Sequence, residues 1–319
     1  MAHEVETMAF ANAVPWHGLG NRVDPNTTVD QMVVAAGLDW DVELRPIFAQ
    51  SPDGEMIKLP VRRALMRTSD NKVMTITGDL WKPLQNRDAM EFFRDYTESG
   101  GAKLETAGSL RGGKVIWALA SINEGFTVGR GDHVKGYVLL ISPHEVGKAI
   151  TVRTTTVRVV CANTMAMAVQ NGRAQFSQNH LTQFDAKRAK ETIGLAKEQV
   201  HQAHLDAKAL SQLKLSNYDT VRFLSKFFAP TPEGMKEKAH VEMLLNDPSQ
   251  RPKQMDQVMA SVERAPGAIP NNGWGVFNGV THWVDHVAGS KNDARLFNAW
   301  LGERSRLKTE IRDSLLELV

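Results

Sequence analysis

Two aromatic-and-basic stretches and two runs of cations are the residues whose types and spacing suggest chemistry. PWHGLGNR (15–22) sets Trp16 and His17 in a glycine-rich loop ending at Arg22, and GDLWKPLQNRD (78–88) sets Trp81 beside Lys82. Aromatic planes next to cations suit single-stranded nucleic acid, whose bases stack on rings while its phosphates are neutralised by charge. The same residues have an ordinary structural reading. A tryptophan can anchor a glycine loop, and Asn86 can cap the helix that follows.

The first cationic run is Lys58, Arg62, Arg63, Arg67 and Lys72, opposed within it only by Asp70. The second is Lys135, Lys148, Arg153 and Arg158, where Glu145 is the only acidic residue. Between its arginines stand Thr154, Thr155 and Thr156, whose hydroxyls can bond phosphate oxygens. In an unbroken strand Arg153 and Arg158 face opposite sides, so they share a surface only across a bulge. Two readings stand side by side: solvated strand faces paired with distant carboxylates, or a phosphate-binding groove.

Cys161, in VRVVCANT, is the only cysteine. A nucleophilic cysteine needs a base or a positive field, and no histidine lies near it in sequence. Alternation places it with Val157 and Val159, the company of a small buried hydrophobe. One cysteine also excludes a disulfide framework and a cysteine-built zinc site within one chain. His282 and His286 flank Asp285 in THWVDH, and His201 and His204 lie three apart. Two histidines need a third ligand and an open position before they catalyse anything. GFTVGRGDHVKG matches no phosphate-binding glycine loop. The residues therefore predict a binding protein without catalytic site, metal or cofactor.

The elements that must position these residues fall into two textures. DWDVELRPIFAQ, MIKLPVRRALMRT and KVMTITG read as strands separated by SPDGE and SDN turns. Pro60 marks the second as an edge strand or a bulge. NRDAMEFFRDYTESGG reads as a helix stopped by Gly100 and Gly101. Strands resume across a hairpin turn at Arg111–Lys114 and end with KAITVRTTTVRVVC. This order, without βαβ alternation, predicts an α+β fold: a largely antiparallel sheet with a crossing helix, followed by a helical C-terminal region. The expected division is 1–171 for the mixed α+β core and 172–319 for the helical part. Within the latter, Ala186, Ala189, Ile193, Ala196, Val200, Ala203, Ala207 and Leu210 form a heptad seam. That seam suits either an intramolecular helical hairpin or self-association.

Net charge is +2, and residues 1–171 carry 18 Lys and Arg against 19 Asp and Glu, so any nucleic-acid contact must use a local groove. The acidic N-terminus lacks a signal-peptide pattern, and no apolar run approaches the roughly 18 residues of a membrane span. A cytoplasmic setting follows as the expectation.

PWHGLG, GDLWKPLQNRDAMEFF, GKVIWALASI, VFNGVTHWVDH and above all VRTTTVRVVCANTM resemble a family of phage/plasmid-like proteins carrying a domain of unknown function. The resemblance spans nearly the whole chain and implies a mobile-element context. At Trp81 it leads one to expect an aromatic, commonly tyrosine; tryptophan keeps a stacking or packing role and removes any role for a phenol. More distantly, the strand–helix–strand order is similar to phage single-strand annealing proteins of the Erf, Sak and Redβ types. That likeness implies a non-enzymatic protein that binds single-stranded DNA and anneals complementary strands. Its phosphate contacts would be Lys58, Arg62, Arg63, Arg67, Lys82, Lys148, Arg153 and Arg158, with Trp16 or Trp81 stacking on bases. It would act as a homo-oligomer in a bacterial host cytoplasm, with a host or phage single-strand-binding protein as a further partner and no membrane contact. The rival expectation is a host-takeover or counter-defence factor acting through a protein surface.

Overall fold

A computed structural model describes residues 5–12, 19–129, 132–158, 176–194, 196–264, 269–289 and 303–319. The chain folds into two compact units interleaved in sequence. Unit 1 comprises Met1–Glu124, Gly136–Thr154 and Arg173–Lys197, and unit 2 comprises Gly125–Lys135, Thr155–Gly172 and Glu198–Val319. The architecture is α+β with antiparallel sheets and a helical C-terminal region, as the element order predicts.

The chain begins with β1 (Val5–Phe10), β2 (Asn21–Arg22), α1 (Val29–Ala35), β3 (Val42–Gln50), β4 (Met56–Arg67) and β5 (Val73–Gly78). Two short helices follow, α2 (Asn86–Glu91) and α3 (Arg94–Glu98). Then come β6 (Ala102–Leu110), β7 (Val115–Val128), β8 (Asp132–Pro143), β9 (Ile150–Arg158), β10 (Phe176–Gln178) and α4 (Ala186–Gly194). Seven strands form one sheet in the order β10-β9-β8-β7-β6-β1-β2. Consecutive residues Val115–Ala120 of β7 and Tyr137–Ser142 of β8 are all buried, so these strands are covered on both faces. Thr28 and Gln31 form a reciprocal capping box at the start of α1, which buries Val29, Met32 and Val33 and packs on β1 and β6. The single helix read from 86–101 is two, with Phe92 and Phe93 both buried at the join.

The second sheet, β3-β4-β5, has two unlike halves. Near its base, Val42–Pro46 pairs with Arg67–Arg63 of β4, and β5 pairs with Arg62–Met66. Farther out, Phe48–Gln50 pairs with Lys58–Met56 alone, closed by a turn in which the Ser51 amide donates to the Glu55 carbonyl at 2.8 Å. At the join the register jumps: Pro46 faces Arg63, yet Phe48 faces Lys58. The surplus residues of β4 form a wide bulge containing Pro60 and Val61. β4 is central, so Pro60 marks a bulge and not an edge. Val61 sits at φ 51°, a left-handed conformation that costs a β-branched residue about 1–3 kcal/mol. Beyond the bulge the strand pair is a two-stranded arm with both faces in water.

Among its described residues, unit 2 is helical apart from the β7–β8 tip and the end of β9. Its helices are α5 (Ala196–Gln212), α6 (Asn217–Phe228), α7 (Glu237–Asn246), α8 (Lys253–Arg264), α9 (Gly273–His282) and α10 (Glu303–Leu316). α9 continues into a π-helical turn, Trp283–Val287. Every residue from Gly273 to Thr281 is buried, which places α9 at the centre, packed on α8 and α10. Gly279 permits the α8 contact, because a Cβ there would lie 2.5 Å from the Val262 Cα. The predicted heptad helix is divided between α4 and α5. Its seam residues Ala189, Val200, Ala203, Ala207 and Leu210 are buried within the chain.

Candidate nucleic-acid interface

The arm of β3 and β4 carries the most exposed conjunction of an aromatic, cations and apolar side chains among the described residues. Phe48 and Lys58 are direct cross-strand partners, so their side chains stand on one face. Gln50 and Met56, the next partners on that face, extend it toward the turn. Phe48 is 47% exposed and Met56 63%. Ile57 on the opposite face and Val61 in the bulge are also exposed. Lys58 and Arg62 are exposed and meet no carboxylate among the described residues. The arm therefore presents a ring, an aliphatic surface and the unanswered cation Lys58 to solvent, with a second, Arg62, at its root where β4 meets β5. Such a surface can stack a base and neutralise phosphates.

The other cations of the first run are engaged. Arg63 is half-buried and pairs with Asp79 at 2.9 Å. Arg67 is buried, bonds Asp70 through two nitrogens and Glu6 through a third, and lies over the Trp40 ring at 5.1 Å. Its hydrogen bonds to Asp70 and Glu6 raise the guanidinium pKa against the opposing effect of burial. The same pairing pulls the Asp70 carboxyl down to about 2. Lys72 donates to the Gly112 carbonyl at 2.8 Å. Arg67 and Lys72 thus tie the base of the second sheet to the β1 strand and the β6–β7 turn.

In the second run, Lys148 and Arg111 both bond the Glu145 carboxylate, at 2.7 and 2.8 Å. Arg153 is mostly buried, and desolvation lowers its guanidinium pKa. Arg158 ends β9, its side chain lying outside the described residues together with Trp16 and Cys161. Lys82 is exposed with no carboxylate partner among the described residues, and lines a cleft of about 690 Å³.

Trp81, next to Lys82 in the chain, is buried. Its ring lies flat on His180, centroids 4.2 Å apart. The Lys82 amide donates to the His180 carbonyl at 2.6 Å, fixing the two segments together. Nearby, Asn86 donates to the carbonyls of Leu38 and Trp40, and its own oxygen meets the His144 Nε2 at 3.0 Å. Asn86 is therefore a buried strut and not a cap. Burial drives the His144 pKa down to about 3 and lowers that of His180 too, so both rings are neutral.

In unit 2, the Lys308 Nζ donates to Asp285 at 3.0 Å, both side chains being buried. Burial pushes the Asp285 carboxyl up to about 6, against the pull of Lys308. His282 meets the Ser261 hydroxyl at 3.2 Å, and His204 stacks on Phe126. No group of three or more metal-ligating side chains occurs among the described residues. Among the same residues, no helix is long and apolar enough to cross a membrane.

Phe48 is the residue that composition and spacing miss. A signal for it exists: SPDGE closes a five-residue loop over 51–55, and counting outward pairs 50 with 56 and 48 with 58. Turn chemistry thereby places an aromatic beside the first cation of the run.

The family model described as Domain of unknown function (DUF932) matches residues 73–304, which include the cleft and follow the arm. No curated protein and no solved structure matches the chain.

Proposed function

We propose that this chain, which belongs to the DUF932 family, binds single-stranded DNA through the β3–β4 arm and promotes annealing of complementary strands. The observation that carries this reading is Phe48 standing directly opposite Lys58 on an exposed strand pair. Phe48 is the stacking platform, and Lys58 and Arg62 are the phosphate contacts. Lys82 and Lys148 are outlying contacts on the same unit, whereas Arg63 and Arg67 hold the arm's base in place. Strained Val61 supports the assignment, since such backbone is retained where the surroundings over-determine it, often at ligand clamps. Binding to backbones and ring faces is sequence-tolerant, and annealing by charge neutralisation needs no hydrolysed cofactor. In this reading the protein is a non-enzymatic homo-oligomer of a phage or plasmid, acting in the host cytoplasm beside a single-strand-binding protein.

Fluorescence anisotropy of a labelled mixed-sequence strand over a salt series tests the reading. Log affinity falls linearly with log salt, and Lys58→Ala with Arg62→Ala lowers the slope by about 1.4, the contribution of two single-strand phosphates. Phe48→Ala weakens binding by about 1–3 kcal/mol and leaves the slope unchanged. Absence of saturable binding at low salt overturns it. The exposed apolar residues Met56, Ile57 and Val61 then favour the second reading, a host-directed factor gripping a protein through the arm.

A further inference from the structure

Beyond Lys82, which the strand reading takes as an outlying contact, the cleft has features that strand binding through the arm does not use. Its volume of about 690 Å³ falls in the range of roughly 300–1,000 Å³ typical of small-ligand sites. Buried Leu84, Phe92 and Ile150 and half-buried Phe184 supply its apolar lining, the floor of the cleft. Four charged residues also line it. Glu91 is taken by Arg94, and Lys190 by Asp95. Lys82 and Asp88 remain, both exposed, without an ion-pair partner among the described residues and not paired with each other.

The walls are fixed before any ligand arrives. One is held by the Lys82–His180 backbone bond and the Trp81–His180 stack. Another is held by Gln178, whose amide donates to the Thr182 hydroxyl at 2.9 Å and the Gln183 carbonyl at 2.7 Å. Such support gives a site definite geometry. Its natural occupant has an anionic end for Lys82, a donor-bearing end for Asp88, and a flat or apolar body for the floor.

A nucleotide has that distribution, and Asp88 selects among bases. An ionised carboxylate only accepts hydrogen bonds, through two oxygens. Guanine offers it two adjacent donors, N1–H and the exocyclic amine. Adenine and cytosine offer one donor beside a ring acceptor that a carboxylate repels. Thymine offers one donor flanked by two carbonyls. We infer that this cleft binds a single guanine nucleotide, phosphate at Lys82 and base edge at Asp88, taken from the free pool or from a strand. The inference does not rest on the arm.

Isothermal titration of the full chain with dGMP, dAMP, dTMP and the trinucleotides d(TGT) and d(TTT) tests it. One dGMP binds per chain, and dTMP at least about tenfold more weakly. Lys82→Ala weakens dGMP by about tenfold. Asp88→Asn, which offers one donor and one acceptor, removes the preference of dGMP over dAMP. Both residues are exposed, so circular dichroism of the variants matches the parent. Tighter binding of d(TGT) than of dGMP assigns the site to a strand, and the reverse assigns it to the free nucleotide. Phe48→Ala with Lys58→Ala leaves the dGMP titration unchanged, which separates this site from the arm. No saturable dGMP binding, equal binding of dTMP, or indifference to both cleft variants overturns the inference.

Discussion

Trp81 and His180 lie face to face, with centroids 4.2 Å apart and planes within 10° of parallel. The imidazole is neutral because burial lowers its pKa, so the contact is a dispersion stack between two flat rings. It joins residues 99 positions apart and occupies the ring that the sequence offers as a base-stacking platform.

Trp81→Ala therefore lowers stability by about 3–5 kcal/mol, the usual cost of deleting a buried large aromatic side chain. Trp81→Phe loses less. Urea unfolding measures both. The folded fraction of each variant keeps the parent's affinity for single-stranded DNA, because the ring is not on the exposed arm.

His144 makes stability depend on pH. Its folded pKa, about 3, lies below the unfolded value near 6.5, so the unfolded chain binds the extra proton between these limits. Stability is fully present above about pH 6.5 and falls by about 1.4 kcal/mol per pH unit below it. His144→Asn flattens this decline between pH 6.5 and 4, as read from denaturant midpoints.

Asp285 acts in the opposite sense. Its folded pKa of about 6 exceeds the ordinary 3.8, so its contribution is present below pH 3.8 and lost as pH rises through 6. Lys308 offsets part of that loss through its 3.0 Å bond. Lys308→Met leaves the carboxylate buried and unpaired at pH 7.5, at a cost of about 3–5 kcal/mol. At pH 5 the carboxyl keeps its proton and the cost is smaller. Comparing unfolding at the two pH values checks both statements.

Gly279→Ala tests the helical core. The added methyl meets the Val262 Cγ2, Cα and nitrogen at 2.4, 2.5 and 2.7 Å, and two of these are backbone atoms that cannot turn aside. The thermal midpoint falls, with a loss of about 1–3 kcal/mol or more.

The strands of the second sheet and the Arg111 turn are legible in the sequence because β-branched runs are bracketed by strong turn residues. Pro60 likewise announces the bulge. Residue fates that depend on distant partners are not legible. Arg67 looks like one more surface cation until Glu6, 61 residues earlier, closes on it. Asn86 has the spacing of a cap, yet its amide spans to Leu38 and Trp40. The heptad seam shows that α4 and α5 bury one face, but no local pattern says whether the cover comes from the same chain. Lys82 stands out in the sequence only by its place beside Trp81 and Asp88 is a plain charge there; only folding brings Ile150 and Phe184 into the same cleft.

The register jump between Pro46–Arg63 and Phe48–Lys58 also insulates one half of the second sheet from the other. Residues added to or removed from the tip between Ser51 and Glu55 shift pairing only as far as the bulge, where the ladder is already broken. The tip can therefore change length while Leu65 and Met74 stay in the core.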